Sequence, residues 1–193
     1  PITRGKDESA LNSDGSINLL SAPFSNTAKQ TAQGVDFGIQ YQLDTSVGRF
    51  TYDLIVAYLH SWKGQDNASS PVGELAGTPY SDATDAYVQW KGQTSLFWDY
   101  KWLTIGATGN YIGSYDDTTI TDLGFHRDVD AYLTMDLQAS VRLPYDFKVT
   151  VGCNNVLDAS PPLSLSSSIE VASGYFKNLY SPIGRFVYFN IGC

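Results

Sequence analysis

Few residues of this 193-residue chain are of the types that do chemistry. The two histidines, His60 and His126, have no nucleophile or ligand partner nearby in sequence, so neither assembles a general base or a metal site. Cys153 and Cys193 lack the spacing of a zinc or redox pair and read as incidental thiols. The run "SYDDTTITD" offers Asp116, Asp117 and Asp122, but without the glycine and glutamate positions of an EF-hand it reads as a solvated acidic loop. No catalytic constellation, metal or cofactor is expected, and the chain is not expected to be an enzyme. The side chains best suited to hold a ligand are aromatic: Tyr80, Tyr87, Phe125, Tyr175, Phe176 and Tyr180, all in polar stretches between apolar ones. For any one of them, packing the loops together is the plainer role.

Those loops must be carried by a β-type framework. The chain holds thirteen Tyr, nine Phe, four Trp and seventeen Gly, with charged residues at only 17%. Its net charge of -8 comes without a basic patch, which removes nucleic acid as a partner. No apolar run is long enough for a spanning helix, but a spanning strand needs only about 9 to 11 residues.

In "GVDFGIQYQLD", Val35, Phe37, Ile39, Tyr41 and Leu43 alternate without exception against polar or glycine positions, as in a strand with one apolar face. "YLTMDLQASVRL" and "WLTIGATGNYIGSY" repeat the pattern. "RFTYDLIVAYLHSW", "QWKGQTSLFWDY", "DFKVTVGCN" and "RFVYFNIG" bring the expected strands to seven, with an eighth possible in residues 14–30. No segment reads as a helix.

Short and long connections alternate strictly. Residues 45–48, 99–101 and 144–146 are tight turns, whereas 64–86, 116–130 and 158–184 are long and rich in Ser, Asp, Gly, Pro and Thr. In an up-and-down meander this puts every tight turn on one rim and every long loop on the other, as in an outer-membrane barrel. Trp62, Trp90, Trp98, Trp102, Tyr58, Tyr100, Tyr111, Tyr115 and Tyr145 fall near strand ends, as interfacial girdle residues do. A soluble β-sandwich shares the alternation but has no reason to sort its loops by length. A passive porin-type barrel shares both features.

The segment "VGCNNVLDASPPLS" resembles the Gly-x-x-Asn-hydrophobic-hydrophobic-Asp stretch that precedes the last loop of TonB-dependent outer-membrane receptors, and "YSPIGRFVYFNIG" is similar to their Tyr-x-x-x-Gly-Arg-aromatic final strand. "NTAKQTAQGVDFGIQYQL" and "YIGSYDD" resemble earlier strands of the same family, in the right order. The resemblance spans about residues 26–193 and marks Gly152, Asn154, Asn155, Asp158, Gly184 and Arg185 as structural motif positions. It implies an all-β, antiparallel meander forming part of a large transmembrane barrel, with residues 1–193 as its C-terminal segment.

The resemblance also implies a bacterial outer membrane, lipid on the apolar face, and the rest of the barrel and a plug as partners. TonB would act through a region outside these residues, in uptake of a scarce small molecule such as a siderophore, cobalamin or carbohydrate. Asn154, Asn155 and Asp158 are expected to meet water at the long-loop rim. Cys153 is expected to face lipid in place of an aliphatic residue. Cys193 stands near where relatives carry a terminal aromatic residue.

Overall fold

The computed structural model describes residues 2–4, 17–20, 29–65, 72–78, 86–117, 127–165 and 174–192. Two short strands, β1 (Ile2–Arg4) and β2 (Ile17–Leu20), pair with each other in a small sheet of their own rather than adding an eighth strand to the wall. The wall consists of β3 (Lys29–Thr45), β4 (Gly48–Gln65), β6 (Trp90–Tyr100), β7 (Leu103–Ile112), β10 (Tyr132–Arg142), β11 (Lys148–Asn154) and β12 (Phe186–Gly192). Each is antiparallel to its neighbour and adjacent to it in order, so the expected meander is the observed topology. Three two-residue strands, β5 (Gly73–Glu74), β8 (Tyr115–Asp116) and β9 (Asp128–Val129), belong to the long connections.

The register lines up one apolar face across all seven strands. Phe37 lies opposite Val56, Tyr52 opposite Leu96, Trp98 opposite Ile105, Ala107 opposite Leu137, and Val151 opposite Phe189. Among the described residues no second sheet covers this face: Phe37 is 53% exposed and Phe189 62%. That single layer sets aside the β-sandwich. Cys153, opposite Leu137 and Val187, is a free thiol on the apolar face, as expected of a residue replacing an aliphatic one. Cys193 lies outside the described residues.

Aromatic side chains bound the face at both ends. Near the tight turns Trp98 stacks on Tyr100 at 5.9 Å, Phe50 lies 6.5 Å from Trp98, and Lys101 sits 4.9 Å over the Tyr100 ring. Trp98 Nε1 also donates to the Val47 carbonyl (2.9 Å), which pins the first turn to the neighbouring hairpin. Near the long loops Tyr58 meets Trp90 at 4.4 Å, with Tyr111 on the next strand. Trp90 and Trp98 stand roughly 26 Å apart along β6 at about 3.3 Å per residue, or about 20 Å along the membrane normal at a strand tilt of about 40°, on the scale of the roughly 25 Å apolar band of a transmembrane barrel.

Two expected girdle residues stand elsewhere. Between Gln33 and Gly34 the pairing skips His60, a one-residue bulge in β4. Strict alternation from Tyr58 would bring Trp62 to the apolar face, but the bulge reverses the phase, and Trp62 stacks on Tyr87 at 4.5 Å and 16° on the opposite side. Tyr115 is 3% exposed inside the long loops, away from any interface.

The opposite face is polar and hydrogen-bonded across strands. Gln93 donates to Asn110 (2.8 Å), Asn110 to Thr134 (3.3 Å) and Asp136 (3.1 Å), and Thr104 to Asp99 (2.6 Å). Ser140 and Thr150 share a 2.8 Å bond. Such rows satisfy side chains that the neighbouring aqueous space alone would leave to water. Tyr188 lies flat over Gly152, where any Cβ would collide with its ring, and its hydroxyl donates to Gln138 (3.4 Å).

Candidate functional site

The long-loop rim holds two built features, a knot at the strand ends and a cap above it. The knot is made by the motif that runs through "GCNNVLD" and "GR". β11 ends where Asn155 adopts a left-handed backbone (φ 49°), a conformation Asn tolerates better than most residues. Its amide N–H donates to Asp136 Oδ1 (2.7 Å), its side-chain amide donates to the Ala159 carbonyl (2.8 Å), and its Oδ1 accepts the Ala159 N–H (3.0 Å). Asp158, also left-handed at 56°, accepts the Arg185 N–H (2.8 Å), while Arg185 Nε donates to the Val156 carbonyl (3.1 Å). A side chain at Gly184 would meet the Asp158 carboxylate at 2.8 Å, so the carboxylate approach needs glycine there. Val156 N–H donates to the Met135 carbonyl (2.7 Å) and ties the corner back to β10. Asn155 is therefore buried, not at the water surface as expected, because all of its side-chain polar groups are used in closing the corner. Asn154 and Asp158 are exposed.

The cap is a small core of its own. Ala86, Val88, Tyr115, Val129, Tyr132, Phe176 and Tyr180 are buried together, drawn from all three long connections and the start of β10. Tyr132 meets Tyr180 edge-on at 5.2 Å, and Tyr115 lies 5.9 Å from Phe176. Backbone bonds lace the same segments, from Asp116 to Gly77 (2.9 Å), from Asp117 to Arg127 (2.8 Å) and from Ser164 to Gly174 (2.7 Å). Asp117 is 1% exposed and its Oδ2 accepts the Leu165 N–H (2.6 Å), so the acidic run is partly interior rather than solvated. Burial pushes the Tyr115 phenol up to about 12, and burial raises Tyr180 as well.

These positions revise the candidate residues. Phe176, fully buried, and Tyr180, 3% exposed, are cap core, and direct contact with a ligand is closed to both. Tyr87 is half-buried against Trp62, and Tyr175 is half-buried beside the core. Tyr80 and Phe125 lie outside the described residues, as do His126 and Asp122. His60 is exposed at the bulge, 6.2 Å from Tyr58. Among the described residues no cluster of His, Cys, Asp or Glu is arranged to hold a metal.

Sequence reasoning missed a cavity of about 420 Å³ on the polar face below the cap. It is lined by Tyr132, Thr134 and Asp136 on β10, Asn154 at the end of β11, and Ser181 and Phe186 leading into β12. Three of these are alternate residues of one strand, so period two already placed them on one face. What brings Ser181 and Phe186 to them is the knot, which folds the last loop back over β10. The arrangement combines hydroxyls, a carboxylate, an amide and two rings around one space, suited to recognition of an organic ligand with polar groups.

Residues 2–156 match the family described as TonB dependent receptor-like, beta-barrel. No curated protein and no solved structure matches the chain. The family match stops at the Asn155 corner, so the last loop and β12 stand on their own geometry, which continues the meander without a break. Spanning well over half of the sequence and agreeing with a single-layer meander whose apolar side is uncovered, the match establishes that this chain belongs to the TonB-dependent receptor-like β-barrel family, an outer-membrane family of receptors and transporters.

Proposed function

We propose that residues 1–193 form the C-terminal segment of a TonB-dependent receptor barrel and take part in capturing a small organic ligand on the polar side of the long-loop rim. Two unpaired edges support the first half. The outer sides of β3 and β12 have no neighbour among the described residues, and hydrocarbon does not tolerate free strand edges, so further strands must close the wall. The plug would sit against the polar face, and energy from TonB would enter through a region outside these residues.

The cavity beneath the cap is the observation that carries the second half. Tyr132, Thr134, Asp136, Asn154, Ser181 and Phe186 would contact the ligand there, with Tyr87 and Tyr175 meeting it at the rim. A siderophore, a cobalamin or a carbohydrate would each present the mixture of ring or chain surface and polar groups that this lining fits. The function is binding and uptake, not catalysis.

Binding of ferrichrome, cyanocobalamin and maltohexaose to the full-length receptor in detergent tests the proposal, read by intrinsic fluorescence and calorimetry. One of the three is expected to bind, and Asn154→Trp, which fills the cavity from an exposed position, is expected to weaken it about tenfold or more. If none binds, or if the bound ligand is indifferent to Asn154→Trp, the capture site lies elsewhere.

A further inference from the structure

The apolar face carries a second, unrelated cavity. A dent of about 260 Å³ opens on the side opposite the ligand cavity. Its floor is Gly92 and Thr94 on β6 and Gly109 on β7, three small residues adjoining one another on a face furnished mainly with larger apolar side chains. Leu54 and Val56 on β4 wall one side, and Leu133 on β10 walls the other. The register accounts for the shape. Val56, Gly92, Tyr111 and Leu133 form one cross-strand row, and Leu54, Thr94 and Gly109 the next, so two adjacent rows are hollow at their centre.

The direction of the dent is informative. It begins at Trp90 and Tyr111, in the aromatic band nearest the long loops, and ends at Thr94 and Gly109, midway between Trp90 and Trp98. From band to middle is roughly 13 Å along the strand at about 3.3 Å per residue, or about 10 Å along the membrane normal at a strand tilt of about 40°, which is the greater part of one leaflet's hydrocarbon depth. The dent is continuous with the lipid-contacting surface and belongs to the leaflet on the long-loop side. We propose that this dent is a seat for one acyl chain of a lipid in that leaflet, held in register with the strands.

Apolarity alone gives such a chain no reason to prefer the dent, because lipid tails are as apolar as leucine. Shape supplies the preference. A void against the wall would forfeit dispersion contacts on every atom lining it, and a slim, flexible chain restores them where a rigid neighbouring protein face would bridge over. A second copy of the chain is the rival occupant. A stable protein interface buries on the order of 800 Å² on each partner, and a dent this narrow offers only a fraction of that.

The proposal rests on the apolar face meeting lipid, and the experiment separates the two. The full-length receptor is extracted from membranes, purified in mild detergent and examined by native mass spectrometry under stepwise collisional activation. Wild type is expected to retain one phospholipid or glycolipid after loosely attached lipid has been stripped. Gly109→Leu is expected to lower that retention about fivefold, since it fills the floor with side chain. A Cβ at Gly109 comes no closer than 3.4 Å to Thr94, and one at Gly92 no closer than 3.5 Å to the Ile55 carbonyl, so Gly92→Leu serves as an independent second variant that the backbone accepts. Ala139→Leu, on the apolar face away from the dent, is expected to leave retention unchanged. A receptor that needs detergent yet keeps no lipid, or keeps it equally in both glycine variants, overturns the seat alone. A dimer mass that Gly109→Leu abolishes assigns the dent to a second copy instead. A receptor released without detergent overturns the membrane reading itself.

Discussion

The wall and the cap solve opposite problems with the same chain. In the wall, the apolar side chains point out and remain uncovered, while polar groups pair with one another on the far face. In the cap, apolar side chains turn inward around Phe176 and Tyr115, as in any small water-soluble domain. A wall strand needs hydrocarbon to complete it. The cap needs only water outside and its own loops inside, so each region is stable in a solvent that would undo the other.

That contrast is most exposed at Phe176. Phe176→Ala should remove about 3–5 kcal/mol from the cap, because a fully buried ring leaves a cavity the loops refill poorly. Hydrogen exchange should show faster exchange at residues 115–117, 127–130 and 174–180 and unchanged protection in β6, β7 and β10. Equal loosening of the strands would merge the two regions into one cooperative unit.

Leu137→Arg tests the wall from the other direction. Leu137 sits mid-strand on the apolar face opposite Ala107, and a charge there should cost about 2–4 kcal/mol in unfolding from lipid vesicles. Gln93→Arg, on the polar face at similar depth, should cost far less. If the two cost the same, the faces are not what their patterning says.

The knot joins the regions, and Asn155→Ala should weaken it by about 1–3 kcal/mol. The change removes both side-chain bonds to Ala159 and leaves a left-handed backbone with a residue that tolerates it poorly. Denaturant unfolding of the receptor reads the loss, and Asn155→Gly, which relieves the backbone but not the lost bonds, should recover only part of it.

The smallest effect is a pH response confined to the cap. The Tyr115 phenol is raised to about 12 when folded, against about 10 in an unfolded chain. A raised folded value means that its contribution is intact below pH ~10 and is lost as pH climbs from about 10 to about 12, by on the order of 1 kcal/mol. Phenolate absorbance should show a late-titrating tyrosine that Tyr115→Phe removes. A cap insensitive to that range would mean the phenol is already open to water.

How much of this was readable beforehand follows the same division. The wall was legible because its side chains obey a period of two: β3, β7 and β10 announce their faces residue by residue, and the sorted loop lengths give the meander. Even Cys153 is on the face its position implies. The cap was not legible, since Tyr115, Val129 and Phe176 come together from separate connections with no period to betray them. Its aromatics looked like a binding rim because loops usually carry function, and two of them proved to be the packing. The cavity below the cap lay between these cases. Its β10 half followed from alternation, while its β12 half depended on a hydrogen-bonded corner whose residue types were visible but whose closure was not.

One small irregularity fixes where the two regions change over. His60 is a single unpaired residue, yet it acts as a frameshift in the reading of inside and outside along β4. Below it, the phase set by Phe50 and Tyr58 is spelled for lipid. Above it the same alternation is spelled for water, which lets the upper hairpin turn Trp62 inward to Tyr87 without any change in the order of residue types. Straightening the bulge with His60 kept in the ladder would turn Trp62 outward and exchange the faces of residues 61–64, whereas deleting His60 would leave a regular ladder with each of those side chains on the face it already holds.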